Sequence, residues 1–244
     1  MISSIKSVRT LGLAGLMVAV ALMVVASVGV ASSSAAEWGE CFSQAGGAYK
    51  DGLCTEKTGG SFEWEAFTSA VAIKSEGTLE LTDAKGGGGG GSVTVTCTGK
   101  DEGTVGPGAQ DKVTAVFENA AKKEPEEWVK CTHTAGEECG SPRAHAVHIP
   151  WNTKLEGSPV RDKIESGGTG APGWIVECTV FFVKVTDECT GTTTTSVTNV
   201  AGGVDTTFDA SSANANCTRG GAGAGKVRGT NHVLNPAGVQ LSVK

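Results

Sequence analysis

The chain has 244 residues, with 20 lysines and arginines against 26 aspartates and glutamates, so its formal charge at pH 7 is −6. This acidic balance argues against nucleic acid as a partner, because nucleic acid requires a basic patch, and against attraction to an anionic membrane surface. The 36 glycines disfavour long helices and direct attention to β-structure.

The first 36 residues predict a secretory signal peptide. Lys6 and Arg9 precede an uncharged apolar run over residues 11–26, and small residues follow up to Ala36. A basic start, an apolar run and a small-residue end are the pattern of a cleaved leader, so we predict cleavage after Ala36. A retained membrane anchor is the alternative, because the uncharged run over residues 10–34 is long enough to span a bilayer. After cleavage, with 18 basic and 26 acidic residues, the protein is expected to be secreted, extracellular or on the cell surface, without membrane contact.

Eight cysteines follow the leader, and an even number in an exported chain predicts disulfide bonds. Sequence alone does not select one connectivity. The shortest loops suggest these pairs: Cys41–Cys54, Cys131–Cys139, Cys178–Cys189 and, by remainder, Cys97–Cys217. We therefore expect a Cys-looped N-terminal segment, residues 37–60, packed on an all-β domain, residues 61–244.

Strand patterns dominate the rest of the chain. Residues 92–98 alternate strictly, with Val93, Val95 and Cys97 on one face, which predicts a half-buried antiparallel strand. The β-branched and aromatic run at 173–186 predicts one central strand buried on both faces. Further strands are predicted at 79–82, 112–118, 192–200, 204–210, 226–233 and 239–244. Gly-rich turns between short strands favour an antiparallel β-sandwich or barrel, here stabilised by disulfides.

One cluster of histidines and cysteines raises the question of a zinc site. Cys131, His133, Cys139, His145 and His148 lie close together in the sequence, and imidazole and thiolate groups are zinc ligands. On a strand, however, His145 and His148 would point to opposite faces, and export favours disulfides over thiolates. We therefore predict no metal and no other cofactor, with a Cys131–Cys139 bridge beside exposed histidines.

Catalytic patterns are weak in this sequence. No G-x-S-x-G nucleophile elbow is present, and paired cysteines leave no free thiol for a cysteine protease. Glu63 and Glu65, and likewise Glu126 and Glu127, lie beside aromatics as in some glycosidases, but a solvated strand face gives the same pattern. We therefore expect a non-enzymatic protein acting by structure or binding, with an extracellular hydrolase as an alternative.

Tryptophan is frequent for a chain with one tyrosine. Trp64 and Trp174 are expected in the core, where aromatics stabilise a thin interior. Trp38, Trp128 and Trp151 are the predicted binding residues, with Trp38 and Trp151 expected at the surface because of their polar or proline-flanked contexts. Exposed tryptophans on a β-sandwich would bind carbohydrate by stacking, so a cell-wall or extracellular glycan is the alternative partner.

The chain also resembles a group of exported actinobacterial proteins of unknown function. The resemblance begins with EWGEC, the CT pair at residues 54–55 and GGSFEW at 59–64, and continues through VTVTCTG at 93–99 and CTHTAGEECGSP at 131–142. It departs at Arg143 and His145, where small residues are typical, and in the C-terminal third. Covering about half of the mature chain, it implies export, disulfides and an all-β domain, and it brings no known activity or catalytic residues.

Overall fold

The computed structural model describes residues 35–84, 91–118, 127–133, 139–209, 215–219 and 221–244, and these form sixteen β-strands. The first eight strands are β1 (Trp38–Gly47), β2 (Gly60–Ala66), β3 (Val71–Asp83), β4 (Val93–Val105), β5 (Gln110–Phe117), β6 (Trp128–His133), β7 (Gly140–Val147) and β8 (Trp151–Glu156). The others are β9 (Arg161–Ser166), β10 (Gly173–Val180), β11 (Val183–Thr190), β12 (Thr193–Val200), β13 (Gly203–Phe208), β14 (Ala215–Cys217), β15 (Gly221–Leu234) and β16 (Leu241–Val243). The predicted signal peptide lies almost entirely outside the described residues.

Strands β3 to β15 form one antiparallel sheet in the order β13-β12-β9-β8-β5-β4-β3-β15-β14-β11-β10-β7-β6. Pairing of β13 with β15 closes ring 1, which contains β3, β4, β5, β8, β9, β12, β13 and β15. Pairing of β4 with β6 closes ring 2, which contains β3, β4, β6, β7, β10, β11, β14 and β15. The predicted all-β antiparallel class is confirmed, and closure of the sheet matches its barrel form.

Three long strands, β3, β4 and β15, belong to both rings. β4 pairs with β6 of ring 2 through Val95–Cys97 and with β5 of ring 1 through Lys100–Val105. β15 similarly pairs with β14 near its start and with β13 through Gly229–Val233. The described linkers at residues 148–150, 167–172 and 191–192 each lead from a strand of one ring to a strand of the other.

The polar N-terminal segment is held by pairing and by one covalent bridge. β1 pairs with β2 and with β16, so the beginning and the end of the described chain share a three-stranded sheet. The predicted Cys41–Cys54 disulfide is present. Within its loop, Asp51 accepts hydrogen bonds from the hydroxyl and backbone N–H of Thr55 and from two other backbone N–H groups, and these bonds lower the pKa of Asp51 to about 2.

The other three predicted disulfide pairs are wrong. The bridges are Cys97–Cys131, Cys139–Cys178 and Cys189–Cys217, and all three lie in ring 2. Cys97 lies directly opposite Cys131 in the β4–β6 ladder, and Cys189 lies opposite Cys217 in the β11–β14 ladder. Pairing of strands distant in sequence therefore decided the connectivity, and the shortest-loop argument failed.

The apolar run at 173–186 is a hairpin, which corrects the prediction of one doubly buried strand. β10 ends at Val180, which lies opposite Val183 at the start of β11. Phe181 and Phe182 form the two-residue turn with φ of 47° and 66°, and their side chains are 77% and 101% exposed. The described residues contain no helix of the length and hydrophobicity needed to cross a membrane.

Candidate functional site

A cavity of about 180 Å³ lies in ring 1 and extends across the junction into ring 2. Because side chains alternate between the two faces of a strand, each strand of ring 1 directs every second residue inward. Every strand of ring 1 has a polar residue at an inward position, and these residues form a polar belt. Its members are Ser75, Asp101, Asp111, Thr153, Asp162, Thr195, Thr206 and Asn231, one from each strand of ring 1.

Strand register places the belt residues directly opposite one another in four cross-strand pairs. The pairs are Ser75 with Asp101, Asp111 with Thr153, Asp162 with Thr195, and Thr206 with Asn231. Directly opposed residues have Cβ atoms about 5 Å apart, which is close enough for their polar groups to interact. The belt is therefore a consequence of strand register and joins side chains from distant parts of the sequence.

Apolar layers enclose the belt on both sides. On one side a buried cluster contains Trp38 from β1 with Ile73, Val105, Leu155 and Val233 of ring 1. On the other side a second cluster spans both rings and includes the following residues: Leu81, Val95, Val129, Ile164, Phe208 and Val227, with Trp151 and Trp174 packed against them. The cavity thus offers one polar zone within largely apolar walls.

The carboxyl group of Asp101 has a hydrogen-bond partner within the belt. The Ser75 hydroxyl donates a hydrogen bond to Asp101 Oδ2. Burial raises the pKa of Asp101 to about 6, although this hydrogen bond favours the charged form. Asp101 therefore ionises at a higher pH than an ordinary aspartate.

Asp111 and Asp162 form a directly interacting pair of carboxyl groups on either side of Thr153. Burial, and next the negative charge of Asp162, raise the pKa of Asp111 well above the ordinary value. Burial raises the pKa of Asp162 to about 7. Two carboxyl groups in contact in a buried site cannot both ionise easily, so the pair retains a proton near neutral pH.

Several polar atoms around this pair are buried without a hydrogen-bond partner among the described residues. They are Oδ1 of Asp111, Oδ1 of Asp162, Oγ1 of Thr153 and Nε1 of Trp38. Thr153 and Trp38 lie near enough to Asp111 to lower its pKa, although neither makes a hydrogen bond of standard length and angle to it. Each such group costs about 1–3 kcal/mol when it is buried and unsatisfied.

Two glycines of the shared strands lie where the two rings meet. Gly77 and Gly99 lie opposite each other in the β3–β4 ladder, and both line the cavity. A Cβ atom built on Gly99 would lie 3.8 Å from the Val129 side chain and 3.9 Å from Phe117 O, both ordinary van der Waals contacts. Gly99 therefore leaves space in the cavity wall, whereas Gly77 is needed for the close approach of β15, because a Cβ on Gly77 would clash with Thr230 O.

Part of the cavity wall lies at the seam between the rings. Pro172, Gly173, Gly191 and Thr192 line the cavity, and they lie in or beside linkers that cross from ring to ring. Thr192 is exposed. Linkers are displaced more easily than paired strands, so a ligand would enter most readily at this seam.

The three predicted binding tryptophans do not form one surface cluster. Trp38 is 1% exposed, so its expected surface position is wrong, because it packs under ring 1 as an anchor of the N-terminal sheet. Trp151 is half-buried, lines the cavity and donates its indole N–H to Val147 O at 2.7 Å. Trp128 lies on the outside of ring 2 between Arg143, 4.3 Å from its ring centroid, and His145, whose ring centroid is 5.0 Å away.

The predicted zinc ligands are also dispersed. Cys131 and Cys139 are in separate disulfides, so neither offers a thiolate and their predicted mutual bridge is wrong. His145 stacks on Trp128. His148 lies in the loop after β7, where its Nδ1 is 2.6 Å from Ala171 O.

Sequence reasoning missed the belt aspartates. A signal was present in the alternation, since Asp111 precedes Val113 by two residues and Asp162 precedes Ile164 by two, which places each carboxyl on the core-facing side. No protein-family model matches the chain, and no curated protein or solved structure is significantly similar to it. Fold and site together define an all-β, disulfide-bonded protein whose closed sheet encloses a partly polar cavity.

Proposed function

We propose that this is an exported, non-enzymatic extracellular protein that binds a small amphiphilic molecule inside its closed sheet. The observation that carries the proposal is the cavity, in which one polar belt with unpartnered buried atoms lies between two apolar layers. Small-molecule sites in proteins have this character, with mainly apolar walls and a few converging polar groups.

The cavity limits the size of the ligand. An apolar cavity of about 150 Å³ accommodates benzene. The cavity here, at about 180 Å³, suits a molecule of about six to ten non-hydrogen atoms. An apolar body would lie against Trp151, Trp174 and Phe208, and its polar end would meet the belt.

Export is supported by two independent features. The predicted leader precedes the described residues, and all eight cysteines are paired in disulfides. Disulfides persist in oxidising compartments and are rare in the cytosol. A ligand-binding role outside the cell is therefore the consistent proposal.

The two alternative functions have less support. Glycan stacking requires free aromatic faces, whereas Trp38 is buried and Trp128 lies between Arg143 and His145. Glycoside hydrolysis uses carboxyl groups about 5–9.5 Å apart, leaving room for the substrate. Asp111 and Asp162 interact directly instead, and they lie in an interior too small for a sugar chain.

Straight-chain primary alcohols from ethanol to decanol provide the test. Calorimetric titration of the secreted protein should show saturable binding whose affinity rises with chain length and then falls once the chain exceeds the cavity. Native mass spectrometry should show one alcohol per chain. If no alcohol binds saturably, or if affinity keeps rising with hydrophobicity to decanol, the interior is not the binding site.

A further inference from the structure

We infer that the Asp111–Asp162 pair, with Thr153 between them, binds the ammonium group of a small primary amine. The inference rests on the proposed function and specifies the chemistry of the ligand's polar end. It is carried by the buried polar atoms of the site that have no hydrogen-bond partner, because their number and type match the three N–H donors of a primary ammonium group.

Three of these buried atoms accept hydrogen bonds. Oδ1 of Asp111, Oδ1 of Asp162 and Oγ1 of Thr153 are buried and unpartnered, whereas the fourth atom, Nε1 of Trp38, can only donate. A primary ammonium carries three donors and no acceptor, so it satisfies all three acceptors at once. A carboxylate ligand offers no donor, and an alcohol offers one.

Burial makes this recognition selective. Trp38 and Thr153 are 1% and 2% exposed, so the site is shielded from water on two sides. A charge-assisted hydrogen bond is roughly twice as strong as a neutral one. A cation beside the pair also removes the mutual repulsion that opposes ionisation of both carboxyl groups.

The surrounding charges agree with a cationic ligand. The titratable groups that line the cavity are Lys100, Asp101, Asp111, His145 and Asp162, and Glu156 on β8 adds negative charge near Asp162. Lys100 forms an ion pair with Glu76 at 3.1 Å. His145 stacks on Trp128 at the outer face of ring 2. The cavity is thus acidic at its belt and apolar beyond it.

The binding step has a defined proton balance. Near neutral pH the empty pair holds a proton, because burial raises the pKa of both carboxyl groups. Binding of an ammonium ion favours loss of that proton to solvent, so affinity should increase with pH between about 5 and 8. The amine remains protonated throughout this range, since alkylammonium groups titrate near pH 10.

The test uses three probes that share one apolar body: hexylamine, hexan-1-ol and hexanoate. At pH 7.5 hexylamine should bind at least about tenfold more tightly than hexan-1-ol, and hexanoate should bind most weakly. At pH 5 the preference for the amine should largely disappear. Calorimetry in buffers of different ionisation enthalpy should detect proton release for hexylamine alone.

Substitutions then test whether the Asp111–Asp162 pair causes the preference for hexylamine. Asp162→Asn and, separately, Asp111→Asn should abolish the preference for hexylamine over hexan-1-ol, and a cooperative thermal unfolding transition reports that each variant is folded. Asp205→Asn, on the outer side of β13 next to belt residue Thr206, is the matched control and should keep the preference. Equal binding of amine and alcohol at pH 7.5 overturns this inference and leaves the proposed function standing. Failure of all three probes overturns both.

Discussion

Thr153 lies directly opposite Asp111 in the β5–β8 ladder, and both side chains line the interior of ring 1. The neighbouring strand contributes Asp162, so two carboxyl groups flank one hydroxyl. A closed sheet normally fills such positions with apolar side chains. The polar belt therefore destabilises the empty protein, and this cost leads to measurable consequences.

Stability should fall as pH rises through the titration of the belt. Burial raises the pKa of Asp101 from the ordinary 3.8 to about 6, and that of Asp162 to about 7. A folded-state pKa above the unfolded value means that stability is full below about pH 4 and is lost as pH rises through 6 to 7. For Asp101 alone the loss amounts to at most about 3 kcal/mol. Denaturant unfolding at intervals from pH 4.5 to 7.5 measures this slope.

Two variants test whether the belt carboxyl groups cause this dependence of unfolding free energy on pH. Asp162→Asn, whose amide does not ionise, should reduce the slope and stabilise the protein at pH 7.5. Asp51→Asn should leave the slope unchanged over this range, because hydrogen bonds hold the pKa of Asp51 at about 2. An unchanged slope in Asp162→Asn would show that this carboxyl group is solvated in the native protein.

Filling the cavity should abolish binding without unfolding the chain. Gly99→Leu adds a side chain to the inner face of β4, where a Cβ has room beside Val129. We expect hexan-1-ol affinity to fall by at least about tenfold, while the melting temperature stays equal or rises because apolar volume is filled. Thr98→Leu, on the adjacent exposed position, is the control and should bind normally. Normal alcohol binding by Gly99→Leu would place the ligand elsewhere.

Sequence patterning predicted the strands whose alternation is regular. Of the predicted strand 92–98, residues 93–98 lie in β4, with Val95 and Cys97 buried as expected, and residues 226–233 lie in β15. Strands β8 and β9, which read WNTKLE and RDKIES, were missed. Their inward positions include Thr153 and Asp162. Because these inward residues are polar, the two strands lack the alternation of apolar and polar residues on which a strand prediction depends.

Long-range pairing was beyond the reach of local patterns. Closure of ring 1 depends on β13 meeting β15, and closure of ring 2 depends on β4 meeting β6. Neither pairing leaves a local signal, because each depends on which distant strands become neighbours after folding. The cavity and the Cys97–Cys131 bridge depend on these pairings, so the sequence alone could not locate them.

The bridge between Cys97 and Cys131 should stabilise the closure of ring 2. It joins β4 to β6 at the same position where these strands complete the ring. Replacing both cysteines with alanine should lower the free energy of unfolding by about 2–4 kcal/mol, as measured by denaturant unfolding. Non-reducing peptide mapping of the parent protein provides the check on connectivity. A peptide that links Cys131 to Cys139 would contradict the register of the β4–β6 ladder.

The Phe181–Phe182 turn should be less stable than a turn of suitable sequence. A two-residue hairpin turn with positive φ at both positions favours Asn-Gly, whereas bulky residues strongly disfavour this conformation. Replacing Phe181-Phe182 with Asn-Gly should raise the free energy of unfolding by about 1–2 kcal/mol. Replacement with Ser-Ser removes the exposed rings but keeps most of the backbone cost, so it should gain much less. Equal stability of the two variants would assign the effect to the loss of exposed apolar surface, and backbone strain would then contribute nothing measurable.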